Sequence, residues 1–176
     1  MAGCQAAHSH PATPHEEPPA PVPMSDAAAL EHSPHGADLL RRVVCAECLR
    51  CEPSERMAIA HVARNRALSP GWWGGTLAEV LTRRGQFATA DSPWCRPLLP
   101  PPPPRADGRE HWSPIMVAAH QRARDEIRAE VDGVLAGDIE DHTAGAVYFH
   151  ARRLGTVWRH LTEVPVPGTW RHRFFR

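Results

Sequence analysis

The sequence predicts an α+β domain, with helices first and a small antiparallel sheet near the C-terminus, behind a Pro/His-rich tail. Three observations predict it. Apolar residues recur at helical spacing through residues 39–67, and Ser113-Pro114 opens a further long helix that Gly137 stops. Beyond residue 145 the period changes to short runs separated by turns. Residues 1–35 hold seven Pro and five His without a sustained apolar period, a composition that cannot bury enough surface to offset its ordering entropy. Two regions follow: a disordered tail over 1–35 and a folded domain over 36–176. His8, His10 and His15 of the tail could bind metal, but a flexible tail is the simpler and favoured reading of them.

In the first helix Leu39, Leu40, Val43, Val44 and Ala46 form the stripe, which must end before Pro53. Pro53 fits the first turn of the next helix, with Glu55 placed for the helix dipole and Met57, Ala60, Ala63 and Ala67 on one face. Ser69-Pro70-Gly71 breaks that helix. Thr76 caps a short one, Leu77 to Arg84, closed by Gly85. Residues 88–112 include the run Pro100 to Pro104 and read as a long irregular connection. Three strands are predicted at Ala146–His150, Leu161–Val164 and Trp170–Phe175.

The 20 basic residues are all Arg and the formal charge is zero, but residues 1–40 sum to −5 and residues 41–176 to +5. Such a body is compatible with an anionic polymer without being a committed nucleic-acid binder. No apolar run reaches the ~18–20 residues of a membrane span, and no cationic start followed by an apolar stretch marks a secretory signal. Five Cys imply no disulfide framework.

Cys45, Cys48 and Cys51, spaced by three, raise an iron–sulfur or zinc site. The segment reads as a helix end on which these thiols share a face, and a fourth ligand at paired spacing is missing, so buried free thiols are the simpler reading. A non-catalytic metal-binding module on the three Cys is the alternative function. Glu47 lies among Val43, Val44, Cys45, Ala46 and Cys48. An apolar setting disfavours the charged form of a carboxyl, which suits a general acid. Glu52, next to Pro53, reads as a helix cap.

In order along 39–176, several segments resemble the SleB/CwlJ-type cell wall hydrolase family. Ala46-Glu47-Cys48-Leu49-Arg50-Cys51-Glu52-Pro53 and the helix ending Asn65-Arg66 are similar to its A-E-A-R-G-E block and the helix ending N-R. Gly85-Gln86-Phe87 resembles G-Q-F, Gly145 to His150 resembles G-A-L-Y-F-H, and Trp158 falls where a Trp is found. Trp170 to Phe175 resembles the closing G-N-H-x-F-Y, with Trp170-Arg171 where Gly-Asn stands in the family. Cys48 and Cys51 replace Ala and Gly, and Leu49 displaces the register by one.

The resemblance implies a lysozyme-type lytic-transglycosylase fold and cleavage of peptidoglycan glycan strands between N-acetylmuramic acid and N-acetylglucosamine. On that reading Glu47 is the one catalytic residue. It protonates the glycosidic oxygen, and as carboxylate it then takes the proton of the muramyl C6 hydroxyl as a 1,6-anhydro ring closes. Glu52, Gln86, Phe87, Tyr148, His150 and His172 are the substrate-binding residues it implies; Trp158, Phe149, Phe174 and Phe175 are core, and Asn65 and Arg66 structural. It implies no cofactor, no metal ligand, no nucleic-acid partner and a monomer. The substrate would lie in the periplasm or wall. A binding-only, degenerate relative is the other reading the departures leave open.

Overall fold

The computed structural model describes residues 34–69, 71–87, 113–155 and 158–176. Four helices precede a three-stranded sheet: α1 Pro34–Cys48, α2 Pro53–Leu68, α3 Leu77–Thr82, α4 Pro114–Ala136, β1 Tyr148–Ala151, β2 Glu163–Val164 and β3 His172–Phe175. The α+β expectation holds. α1 starts two residues inside the predicted tail; the remainder of the tail, and the Pro100–Pro104 run, lie outside the described residues.

α2 is the centre of the fold. It packs against α1, α3, α4 and β1, and eleven of its sixteen residues are buried. Leu40, Val43 and Val44 of α1, Ile59 and Val62 of α2, and Ile127, Val131 and Val134 of α4 meet in the core, where Phe174 of β3 closes one end. A helix surrounded on all sides must bury polar residues too, and Arg56 and Asn65 bring partners with them. Arg56 donates Nε to Glu130 Oε2 at 2.7 Å and Nη2 to Glu130 Oε1 at 2.5 Å on α4. That pairing raises the Arg56 pKa above its ordinary value, against the opposing effect of burial. Asn65 donates to Asp141 Oδ2 at 2.9 Å and to the Ala146 carbonyl at 3.2 Å, fixing the approach to β1.

Local chemistry sets the element ends. Pro53 occupies the first turn of α2, with Glu52 at the N-cap position. Thr76 and Glu79 form a reciprocal capping box at the start of α3. α3 ends two residues before the predicted Arg84 because Arg83 is already extended (φ −65°, ψ 127°), and Gly85 turns the chain at φ +80°. Ser113 Oγ accepts from the Met116 amide at the start of α4, and Gly137 closes that helix in the left-handed region.

The sheet order is β1-β3-β2, all antiparallel, with Tyr148 opposite Phe175 and Val164 opposite Phe174. The strands are shorter than the sequence runs that predicted them. Among the described residues no helix is long and apolar enough to cross a membrane.

Candidate functional site

The last turn of α2 carries Arg66, buried to 5% exposure. Its Nε donates to the Val147 carbonyl at 2.6 Å, just before β1, and its Nη1 to Gln86 Oε1 at 2.7 Å in the turn after α3. The guanidinium carbon lies 4.8 Å from the centre of the Phe87 ring, 5.7 Å from that of Trp73 and 5.9 Å from that of Tyr148. Burial depresses the Arg66 pKa to about 10, while Tyr148 and Glu47 act to hold it up. Glu47, in the last turn of α1, is half-buried. One buried cation thus gathers three of the sequence-predicted residues, Gln86, Phe87 and Tyr148, and feels the charge of a fourth, Glu47. Arg66 is therefore the organising residue of this cluster as well as a tie between elements.

Aromatic rings extend the cluster outward. Trp73 packs edge-on to Tyr148 at 5.8 Å and donates its indole N–H to the Arg66 and Ser69 carbonyls, both at 2.9 Å. Trp72 lies 5.7 Å from Trp73 and is 61% exposed. On the strand, Tyr148 and His150 point the same way, as alternation requires, and both meet Trp158, at 5.4 and 5.3 Å. His150 is buried, stacked on Phe175 at 5.1 Å, with Nδ1 2.9 Å from the Ala151 carbonyl and Nε2 buried without a partner.

The other predicted residues sit elsewhere. Glu52 is exposed; its carbonyl accepts from the Glu55 and Arg56 amides, and its side chain makes no capping bond. His172 is buried at the start of β3, on a second cluster built around Glu55. Glu55 stands in the first turn of α2, as expected, and is wholly buried there. Its Oε1 accepts from the Arg171 amide at 2.8 Å and the His172 amide at 2.7 Å, and lies 3.1 Å from His172 Nδ1. Phe149 separates the two clusters, 5.8 Å from Phe87 and 5.5 Å from His172.

Cys48 and Cys51 form a disulfide with a Cα–Cα distance of 5.2 Å, correcting the expectation of unpaired thiols there. Cys45 is buried and outside the disulfide. Two residues between a pair of Cys at a helix end bring their Cα atoms within bonding range whatever the total number of Cys.

Trp72, Trp73, Glu55 and the organising part played by Arg66 had no place in the sequence-predicted site. The Asn65-Arg66 pair at the end of α2 was the available signal for the last of these.

Compared with known proteins, residues 52–175 match the model of the cell wall hydrolase family. The match starts five residues after Glu47 and takes in Arg66, Gln86, Phe87, Tyr148, His150 and His172. No curated protein and no solved structure matches the chain.

Proposed function

Since the chain belongs to the SleB/CwlJ-type cell wall hydrolase family, and so acts on peptidoglycan, we propose that it cuts the glycan strand as a lytic transglycosylase with Glu47 as sole acid and base. The observation that carries this reading is the convergence of Gln86, Phe87 and Tyr148 on Arg66, whose charge Glu47 also feels. Glu47 is half-buried and reachable from solvent, whereas Glu55 is sealed and tied to two backbone amides. A polysaccharide can be protonated by the first and not by the second.

Glu47 donates its proton to the oxygen joining N-acetylmuramic acid to N-acetylglucosamine as the bond breaks through an oxocarbenium-like transition state. Arg66, held at two bonds and unable to swing away, stabilises the carboxylate left behind. That carboxylate then accepts the proton of the muramyl C6 hydroxyl, whose oxygen closes onto C1. No water and no second carboxylate are consumed. Gln86 presents its amide N–H groups to sugar oxygens while its Oε1 accepts from Arg66. Exposed Trp72 offers a flat apolar face on which a pyranose ring stacks.

Mass spectrometry of muropeptides released from purified sacculi tests this. The wild-type chain should release 1,6-anhydro-muramyl products, and Glu47→Gln should fold and release none. Reducing-end muramyl products would replace the transglycosylase with a hydrolase, and unchanged release by Glu47→Gln would remove Glu47 from the chemistry.

A further inference from the structure

Four buried groups from three parts of the chain converge where α1, α2 and β3 meet. Cys48 ends α1, Cys51 precedes α2, Glu55 lies in the first turn of α2 and His172 opens β3. Their ligand atoms all lie within 4.8 Å of one another. We propose that, with Cys48 and Cys51 reduced, these four side chains form a zinc site that clamps the α1–α2 turn onto β3.

Donor chemistry favours a borderline-soft divalent ion. Two thiolates, an imidazole and a carboxylate suit zinc and offer little to magnesium or calcium, which seek oxygen. Spacing agrees. With Zn–S near 2.3 Å and Zn–N near 2.0–2.1 Å, a tetrahedral site separates sulfur from nitrogen by about 3.5 Å and nitrogen from oxygen by about 3.3 Å. Here Cys48 Sγ lies 3.8 Å from His172 Nδ1, and His172 Nδ1 lies 3.1 Å from Glu55 Oε1.

A second observation concerns Glu55 alone. Its carboxyl is 0% exposed, and while Oε1 takes three contacts, Oε2 is buried with no hydrogen-bond partner. An acceptor left empty at that depth is destabilising, and a cation among these donors satisfies it. His172 also borders a cleft of about 370 Å³ on the β2–β3 face, lined by Arg152, Glu163, Thr169 and Arg173 among others, which gives an ion a route from solvent.

Cation and disulfide are alternative occupants of one place. A phosphine reductant breaks the Cys48–Cys51 bond by giving up two electrons, becoming the phosphine oxide with oxygen from water. The two thiols so formed each lose a proton as zinc binds, so two protons leave per ion.

The test uses the full chain. Wild type is reduced with a phosphine, exposed to excess zinc, freed of unbound metal by gel filtration and assayed by elemental mass spectrometry. About one zinc per folded chain is expected, falling to about a tenth or less when the Cys48–Cys51 disulfide is left intact. Cys45→Ser should keep the metal and Cys51→Ser should lose it. Cobalt in place of zinc should give the thiolate charge-transfer absorption of a tetrahedral sulfur site. Reduced wild type that keeps its native circular dichroism yet takes up no metal would overturn the proposal. So would equal zinc in wild type and Cys51→Ser, which would trace the metal to other histidines. Every readout is metal content or absorption, so the result stands apart from the assignment of Glu47.

Discussion

Arg66 donates to the side-chain oxygen of Gln86 across 2.7 Å, joining the end of the central helix to the turn that follows α3. With the bond to Val147, this fork fixes three elements around one charge. Lysine offers a point charge on a flexible stem and cannot make both bonds in that geometry. Arg66→Lys should therefore cost about 1–3 kcal/mol, read from urea midpoints, and should lower muropeptide release together with stability. A variant with wild-type midpoint and release would show that the fork is dispensable.

Trp72 stands outside that fork. It is 61% exposed and touches Trp73, so its removal leaves the core intact. Trp72→Ala should raise KM for soluble glycan fragments with little change in kcat, since stacking on a ring remote from the scissile bond is uniform binding. An unchanged KM would remove Trp72 from the sugar path.

Arg56 distinguishes a buried ion pair from an exposed one within a single side chain. Glu130 pairs with it at 13% side-chain exposure and Glu126 at 48%. Glu130→Ala strands a buried guanidinium and should cost about 3–5 kcal/mol. Glu126→Ala should cost less than about 1 kcal/mol. Comparable losses in chemical denaturation would refute the division.

His61 makes stability fall in mild acid. Both its ring nitrogens are buried without hydrogen-bond partners, and burial depresses its pKa, with Asp141 acting in the opposite direction. The unfolded chain thus binds the proton first. Stability from this residue is complete above the unfolded value of about 6.5 and declines as pH falls from there toward the lower folded value. His120, also lowered by burial, adds to the same slope. Thermal melts between about pH 8 and pH 5 should show the decline, and His61→Leu should flatten it. An equally steep decline in that variant would place its origin elsewhere.

Much of the helical half was legible because its signals are local. Thr76, Ser113, Pro53 and Gly137 act within a turn of where they stand, and each sits at the predicted helix end. Glu55 stands in the first turn of α2 as expected, but its burial was not legible, because its partners are backbone amides at 171 and 172, which no spacing rule reaches. The site was legible as a set of residues through the family resemblance, but not as a geometry. Gln86, Phe87 and Tyr148 converge only because Arg66 draws the turn after α3 toward the sheet. His172, grouped with them in sequence, belongs to the neighbouring cluster beyond Phe149. The odd total of Cys says nothing about the Cys48–Cys51 pair, which the short reach of a C-x-x-C turn brings together.

Strand order has a consequence for synthesis on the ribosome. β3 is the middle strand, so neither β1 nor β2 has a neighbour to pair with until residues 172–175 have been translated. Glu55, made more than a hundred residues earlier, waits as long for the two amides it accepts from. During that interval the nascent helices hold a carboxylate in want of donors and lack Phe174 to close their apolar interior. Sheet completion and core sealing thus become a single late event, and a ribosome stalled before His172 displays a helical half-domain open to chaperones and proteases.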